Sequence, residues 1–299
     1  MLFQKKPLTI DEQIALLANR GLIIDDIEFA KQFLSNVSYY RLRAYTYPFQ
    51  ENQGNDHSFH SNITFERIIE LYDFDRKLRL LLLDCIERIE ISIRTQIIYH
   101  GCLAQGSHWY VNPSNFRSYQ THSTFLNQLR IAIQHSEEAF IKHYREKYTI
   151  PMDPPAWMAL ELTSFGQLSL LYRNLNKNQI DKEMIAKHYG LNDISILENW
   201  LHSFSDVRNI SAHHSRLWNR KLTTQIKFPK NPSHRYFNYT KTNPSKLYPV
   251  LCNMKYILDI ISPTHTFVHK LIHIIVEHPN TDLLAMGFPS DWKQDSFWK

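Results

Sequence analysis

With 299 residues, 43% of them apolar and 13% aromatic, the chain has material for one large core or two modest ones. Seven glycines argue against a sandwich or barrel punctuated by glycine turns, and three cysteines (Cys85, Cys102, Cys252) without C-x-x-C spacing argue against a disulfide scaffold. The formal charge of +5 is unevenly spread: residues 1–207 balance at −3 and residues 208–299 at +8, with ten Lys/Arg and no acid between Val207 and Leu258. A solvated face usually mixes its signs, so this run points to a polyanionic partner. No apolar run is long enough for a bilayer span, and M-L-F-Q-K-K-P-L-T lacks a signal-peptide core. The expected location is the cytoplasm, away from membranes.

In chain order, Thr9 and Glu12 make a capping-box pattern ahead of a helix that Gly21 stops, and a second helix follows Asp25-Asp26. The segment V-S-Y-Y-R-L-R-A-Y-T-Y-P-F, residues 37–49, carries Tyr39, Tyr40, Tyr45 and Tyr47 with Arg41 and Arg43. Its rings suit either base stacking or packing with hydroxyls at the rim, and Tyr40, Arg41 and Arg43 are the RNA-contact candidates. A polar loop at 50–62 leads to Thr64, which caps a long amphipathic helix from Phe65 to about Tyr99. Asp75/Arg79, Asp84/Arg88 and Glu90/Arg94 are i,i+4 pairs expected on its wet side. After an aromatic connection at 101–122, Ser123 is expected to cap a helix reaching Tyr148. P-M-D-P-P at 151–155 ends that helix and is the best candidate for an internal boundary in an otherwise single 1–299 unit, with the motif below in 156–299. Helical stretches follow at Trp157–Leu175, Asp181–Tyr189 and from Asp193 or Ser195 onward. Residues 228–249 read as a basic, aromatic loop, and helices are expected near 250–261 and 264–277, with Trp292 and Trp298 docking a tail. The fold class is therefore all-α.

The stretch D-V-R-N-I-S-A-H-H-S-R-L-W-N-R, residues 206–220, concentrates chemistry. An arginine neutralises charge developing on a phosphodiester, an amide orients it, and an imidazole moves a proton near neutral pH. Arg208, Asn209 and His213 are the catalytic candidates, with His214 and Arg216 in support. Arg220, Lys221, Lys227, Lys230 and Arg235 are candidate RNA contacts in the basic run. On a helical wheel with Asn209 at zero, His213 falls at about 40°, Arg216 at about −20° and Arg220 at about 20°, whereas Arg208 lies about 140° from His213. Two arrangements reconcile Arg208 with the stripe: the helix ends or distorts here, or two copies of the motif face each other in a homodimer. A lone R-x-x-x-x-H match is weak, and an ordinary buried histidine is its bland reading. A metal alternative rests on His265, His269 and His273 at i, i+4 and i+8, but no cysteine or carboxylate completes that set, so neither metal nor cofactor is expected.

R-N-I-S-A-H resembles the R-x4–6-H signature of HEPN domains. L-T-I-D-E-Q-I, S-Y-Y-R-L-R-A-Y-T-Y-P-F, L-Y-D-F-D-R-K-L-R, I-E-R-I-E-I-S-I-R, S-F-G-Q-L-S-L-L-Y, I-A-K-H-Y-G-L and R-N-I-S-A-H-H-S-R-L-W-N-R together are similar to the bacterial Abi-like (AbiD/AbiF-type) abortive-infection proteins, from about residue 8 to 292. The resemblance implies a HEPN-type helical bundle with additional helices and a basic loop after the motif. It further implies homodimerisation, RNA cleavage in antiphage defence, and a small noncoding RNA as a further partner. The alternative is a non-catalytic RNA-binding or regulatory helical protein.

Overall fold

The computed structural model describes Leu2, residues 6–51 and residues 56–299; the N-terminal reading at Met1 and residues 3–5 and the middle of the 50–62 loop lie outside the described residues. Among the described residues twelve α-helices form and no sheet does, only isolated bridges, so the protein is all-α. None of these helices is long and apolar enough to cross a membrane. The chain divides into two compact units, Met1–Leu80 with Lys270–Thr281, and Leu81–His269 with Asp282–Lys299. The stretch 151–155 falls inside the second unit.

In the first unit, α1 (Ile10–Asn19) starts at a complete capping box: the Thr9 hydroxyl accepts from the Glu12 amide, and the Glu12 carboxylate accepts from the Thr9 amide at 2.7 Å. Asp26 caps α2 (Ile27–Asn36) and Ser38 caps α3 (Tyr39–Thr46). Thr64 accepts from Arg67 at the start of α4 (Phe65–Gln105), whose Phe65, Ile68, Leu71, Phe74 and Leu78 recur every three or four residues and are buried. Phe29, Phe33, Phe65, Tyr72 and Tyr45 meet edge to face or tilted. The Asp75/Arg79 pair departs from the expected wet side: both are buried, Asp75 fully. Arg79 pairs with Asp75, and the Tyr45 hydroxyl donates to Asp75 at 2.6 Å while accepting from Arg79 at 3.0 Å.

In the second unit Arg94 likewise turns inward, bonding Glu90 and the carbonyls of Leu160 and Thr163; only Asp84/Arg88 stays half in water. The expected helix from Ser123 to Tyr148 is two helices, α5 (Tyr119–His135) capped by Ser118 and α6 (Ala139–Lys147). The chain extends at Ser136, and Arg145 satisfies the carbonyls of Gln134 and Ser136 left open by the break. Next come the short α7 (Ala156–Ala159), then α8 (Phe165–Asn174) restarted by a Ser164/Gln167 capping box, and α9 (Lys182–His188) capped by Asp181. Asp193 caps α10 (Ile194–Ala212), whose Trp200, Leu201, Phe204 and Val207 are fully buried against its neighbours. A Cβ on Gly166 would come within 3.2 Å of the Ser205 hydroxyl, so the crossing of α8 and α10 is close. α11 (Leu247–Ile261) is buried along most of its length; α12 (Phe267–Glu277) begins after His265, and from Lys270 on it belongs to the first unit. Trp292 and Trp298 are buried, with the Trp298 indole donating to the Tyr248 hydroxyl at 3.0 Å.

Burial raises the phenol pKa of Tyr110, Tyr172, Tyr189, Tyr236, Tyr248 and Tyr256, the last to about 12. The unfolded chain releases these protons near pH 10 while the folded chain keeps them. Their stabilising effect is therefore complete below pH 10 and is lost as pH rises through and beyond it, by up to about 1.4 kcal/mol per pH unit for each tyrosine. Urea unfolding should show a midpoint that falls steeply between about pH 9.5 and 11; a flat midpoint would contradict the burial of these phenols.

Candidate active site

The candidate site is the carboxyl end of α10. Its rear face is fixed by the buried residues just named, and a bracket of hydrogen bonds holds the following chain against it. The Asn199 amide donates to Gln225 O at 2.9 Å and accepts from the Lys227 amide at 2.8 Å. The Trp200 indole donates to Lys227 O at 2.9 Å, and Thr224 donates to Asp206 at 2.6 Å. The sequence gives no sign of this bracket, because Asn, Trp and Asp on a helix carry no local signal of a partner far along the chain.

α10 ends at Ala212, with His213 as its C-cap. The stripe drawn through Arg216 and Arg220 therefore does not exist: those residues lie in the coil beyond, and of the stripe only Asn209 lies on the helix, with His213 at its cap. The reason is the turn that follows. His214 takes a left-handed φ of +56°, its amide donates to Ser211 O, and the Ser215 amide donates to Ile210 O, both at 3.0 Å. These are the paired bonds of a Schellman C-cap. Arg208 is closer to Asn209 than the wheel implies, its guanidinium donating to the Asn209 carboxamide oxygen at 3.3 Å. Arg208 is half-buried, and Asn209, His213 and His214 are exposed.

Arg216 is half-buried, and exposed Arg220 donates to the Arg216 carbonyl at 3.3 Å. Lys221, Lys227, Lys230 and Arg235 are all exposed. Of the other basic residues in the run, Lys241 pairs with Asp291, Lys246 donates to Asn219 and Ala285 O, and Lys255 pairs with Asp259. The surrounding segment has no regular structure yet is well packed. Tyr236 stacks on Trp200 at 6.0 Å and donates to Asn253 at 2.6 Å, and Phe228 stacks on Tyr239 at 4.6 Å.

In the first unit, Tyr40 and Tyr47 are exposed, whereas Tyr45 is core and Tyr39 accepts from Arg20 at 2.8 Å. Arg41 is exposed, and Arg43 lies 3.2 Å from the His57 ring nitrogen. The histidine trio does not share a helix: His265 precedes α12 and its Nε2 meets Asp259 at 2.8 Å. Among the described residues no three His, Cys, Asp or Glu side chains group as metal ligands.

Compared with known families, residues 32–219 match the family model described as "Abi-like protein". The match spans more than half of the chain and ends just past the carboxyl end of α10. No curated protein and no solved structure matches.

Proposed function

The chain belongs to the Abi-like family, a membership that suggests abortive-infection defence, and from that premise we propose that it is a metal-independent, HEPN-type endoribonuclease. The observation that carries the reading is the end of α10. There an arginine touching a neutral amide sits about one and a half helical turns before an exposed imidazole, followed by a coil in which Arg220, Lys221, Lys227, Lys230 and Arg235 are exposed. That set can bind a phosphodiester, stabilise charge on it and move a proton. The nucleophile is the RNA's own 2′-hydroxyl, so the products are a 2′,3′-cyclic phosphate and a 5′-hydroxyl. Arg208 stabilises the phosphorane-like transition state, an effect of about 2–4 kcal/mol for a single well-placed donor. Asn209 orients the phosphate, and His213 transfers a proton. The active form is a homodimer whose cleft draws on both motifs, and a small noncoding RNA restrains or guides it.

The test is to incubate purified protein with mixed RNA in EDTA and map the ends. Cyclic phosphate ends and intact DNA support the reading; RNA left whole at every concentration tried, with and without phage-infected extract, sinks it. The exposed cations also fit the second reading, an RNA-binding protein without activity. In either case alanine at Lys221, Lys227, Lys230 and Arg235 together should weaken RNA binding. It should also flatten its salt dependence by roughly 0.7 in log–log slope for each phosphate that the variant no longer neutralises. Filter binding from about 50 to 300 mM salt measures this, and an unchanged slope would remove these residues from the interface.

A further inference from the structure

Among the described residues three α-helices end with the same pair of hydrogen bonds. After α1 the amides of Gly21 and Leu22 bond the carbonyls of Ala18 and Leu17, and after α9 those of Gly190 and Leu191 bond Lys187 and Ala186. After α10 the pattern repeats with His214 and Ser215. The left-handed residue is glycine in the first two, at φ +92° and +65°, and histidine in the third, at +56°. Glycine is the residue this position favours, because a Cβ crowds the carbonyl there; Asn, Asp and His are the side chains found most often in its place, and His57 also has a positive φ, of +53°. The residue after it is a leucine in the two glycine-closed ends and a serine here. By the protein's own usage, then, His214 is a poor choice for ending a helix. It is exposed, next to His213, at the end of α10 that carries Arg208 and Asn209. Non-glycine residues held in this region cluster at functional sites.

We propose that His214 is a second proton-transfer residue of the site, working with His213 on the scissile phosphodiester. This rests on the ribonuclease reading above and assigns both proton transfers to a single motif, without a second His213 from a partner copy. Transesterification needs two proton transfers: a neutral imidazole takes the proton of the 2′-hydroxyl as its oxygen bonds to phosphorus. A protonated imidazole gives its proton to the 5′-oxygen as the P–O5′ bond breaks and that oxygen keeps the electron pair. Exchange with water then restores both rings. With His213 and His214 consecutive in the chain, one protomer holds both groups.

His214→Gly and His214→Asn both accept the left-handed backbone, so neither variant should unfold. The expected result is a melting temperature equal to or above wild type, with cleavage slowed about 100-fold or more in both. Added imidazole should partly restore cleavage in the glycine variant, where the ring has left a space, and not in the asparagine variant. Wild-type rates in either variant, or a loss that imidazole leaves untouched in both, would overturn the proposal while leaving the ribonuclease reading in place. A wild-type protein that cuts no RNA overturns both, and so is told apart from a failure of this inference alone.

Discussion

His213→Ala should cleave RNA at least about 100-fold more slowly than wild type, with helix content and melting temperature unchanged. The ring is exposed and only its backbone caps α10, through the amide's bond to Asn209 O at 3.0 Å, which alanine keeps. Arg208→Ala should lose roughly 30- to 1,000-fold, the rate equivalent of about 2–4 kcal/mol of transition-state stabilisation. Arg208 is half-buried and bonds Asn209, so Arg208→Lys is the informative companion: it keeps charge but loses the planar donor fork. Mixing Arg208→Ala with His213→Ala protomers separates the two geometries. Recovered cleavage in the mixture means that a cleft draws residues from both chains. No recovery, with protein that sediments as a monomer, defeats the composite site but not the chemistry. Full activity in His213→Ala defeats the chemistry.

The second large effect is on stability. Asp75→Ala removes the carboxylate that pairs with Arg79 in the first unit's core and deprives the Tyr45 hydroxyl of its acceptor. Breaking a buried ion pair from one side costs about 3–5 kcal/mol, a large share of the roughly 5–15 kcal/mol that holds most domains folded. Urea unfolding followed by circular dichroism should show that loss. Replacing the pair together, Asp75→Leu with Arg79→Met, should recover most of it, because the charge that needed a partner is gone. A loss below about 1 kcal/mol in Asp75→Ala would mean that water or another group compensates Arg79.

Five helix starts were legible because capping is local chemistry. Thr9, Asp26, Thr64, Asp181 and Asp193 each lie next to the amide they cap, so a few residues of sequence suffice. The helix reading failed where the deciding partner is distant or the signal is missing. Asp75/Arg79 and Asp84/Arg88 have the same i,i+4 spelling, and only the tertiary setting makes one pair core and the other half-wet. Ser123 reads as the cap where Ser118 is, and the break at Ser136, held by Arg145, has no local signal. At the site, the residue types were readable but the geometry was not. No glycine or proline stands between Asn209 and Arg220, so nothing in the spelling stops the helix at Ala212. A histidine in a glycine position hides the end of the helix from any rule built on glycine.

The bracket that ties residues 224–227 to Asn199, Trp200 and Asp206 also sets a length scale. It seats the backbone of Lys227 beside Asn199, about ten residues before Asn209, which is about 15 Å along the axis of α10. A strand engaging both that lysine and the carboxyl end of the helix must bridge a span set by rigid backbone and not by flexible side chains. On the proposed ribonuclease reading, cleavage should therefore depend on oligonucleotide length before it depends on base identity, which a ladder of single-stranded RNAs measures.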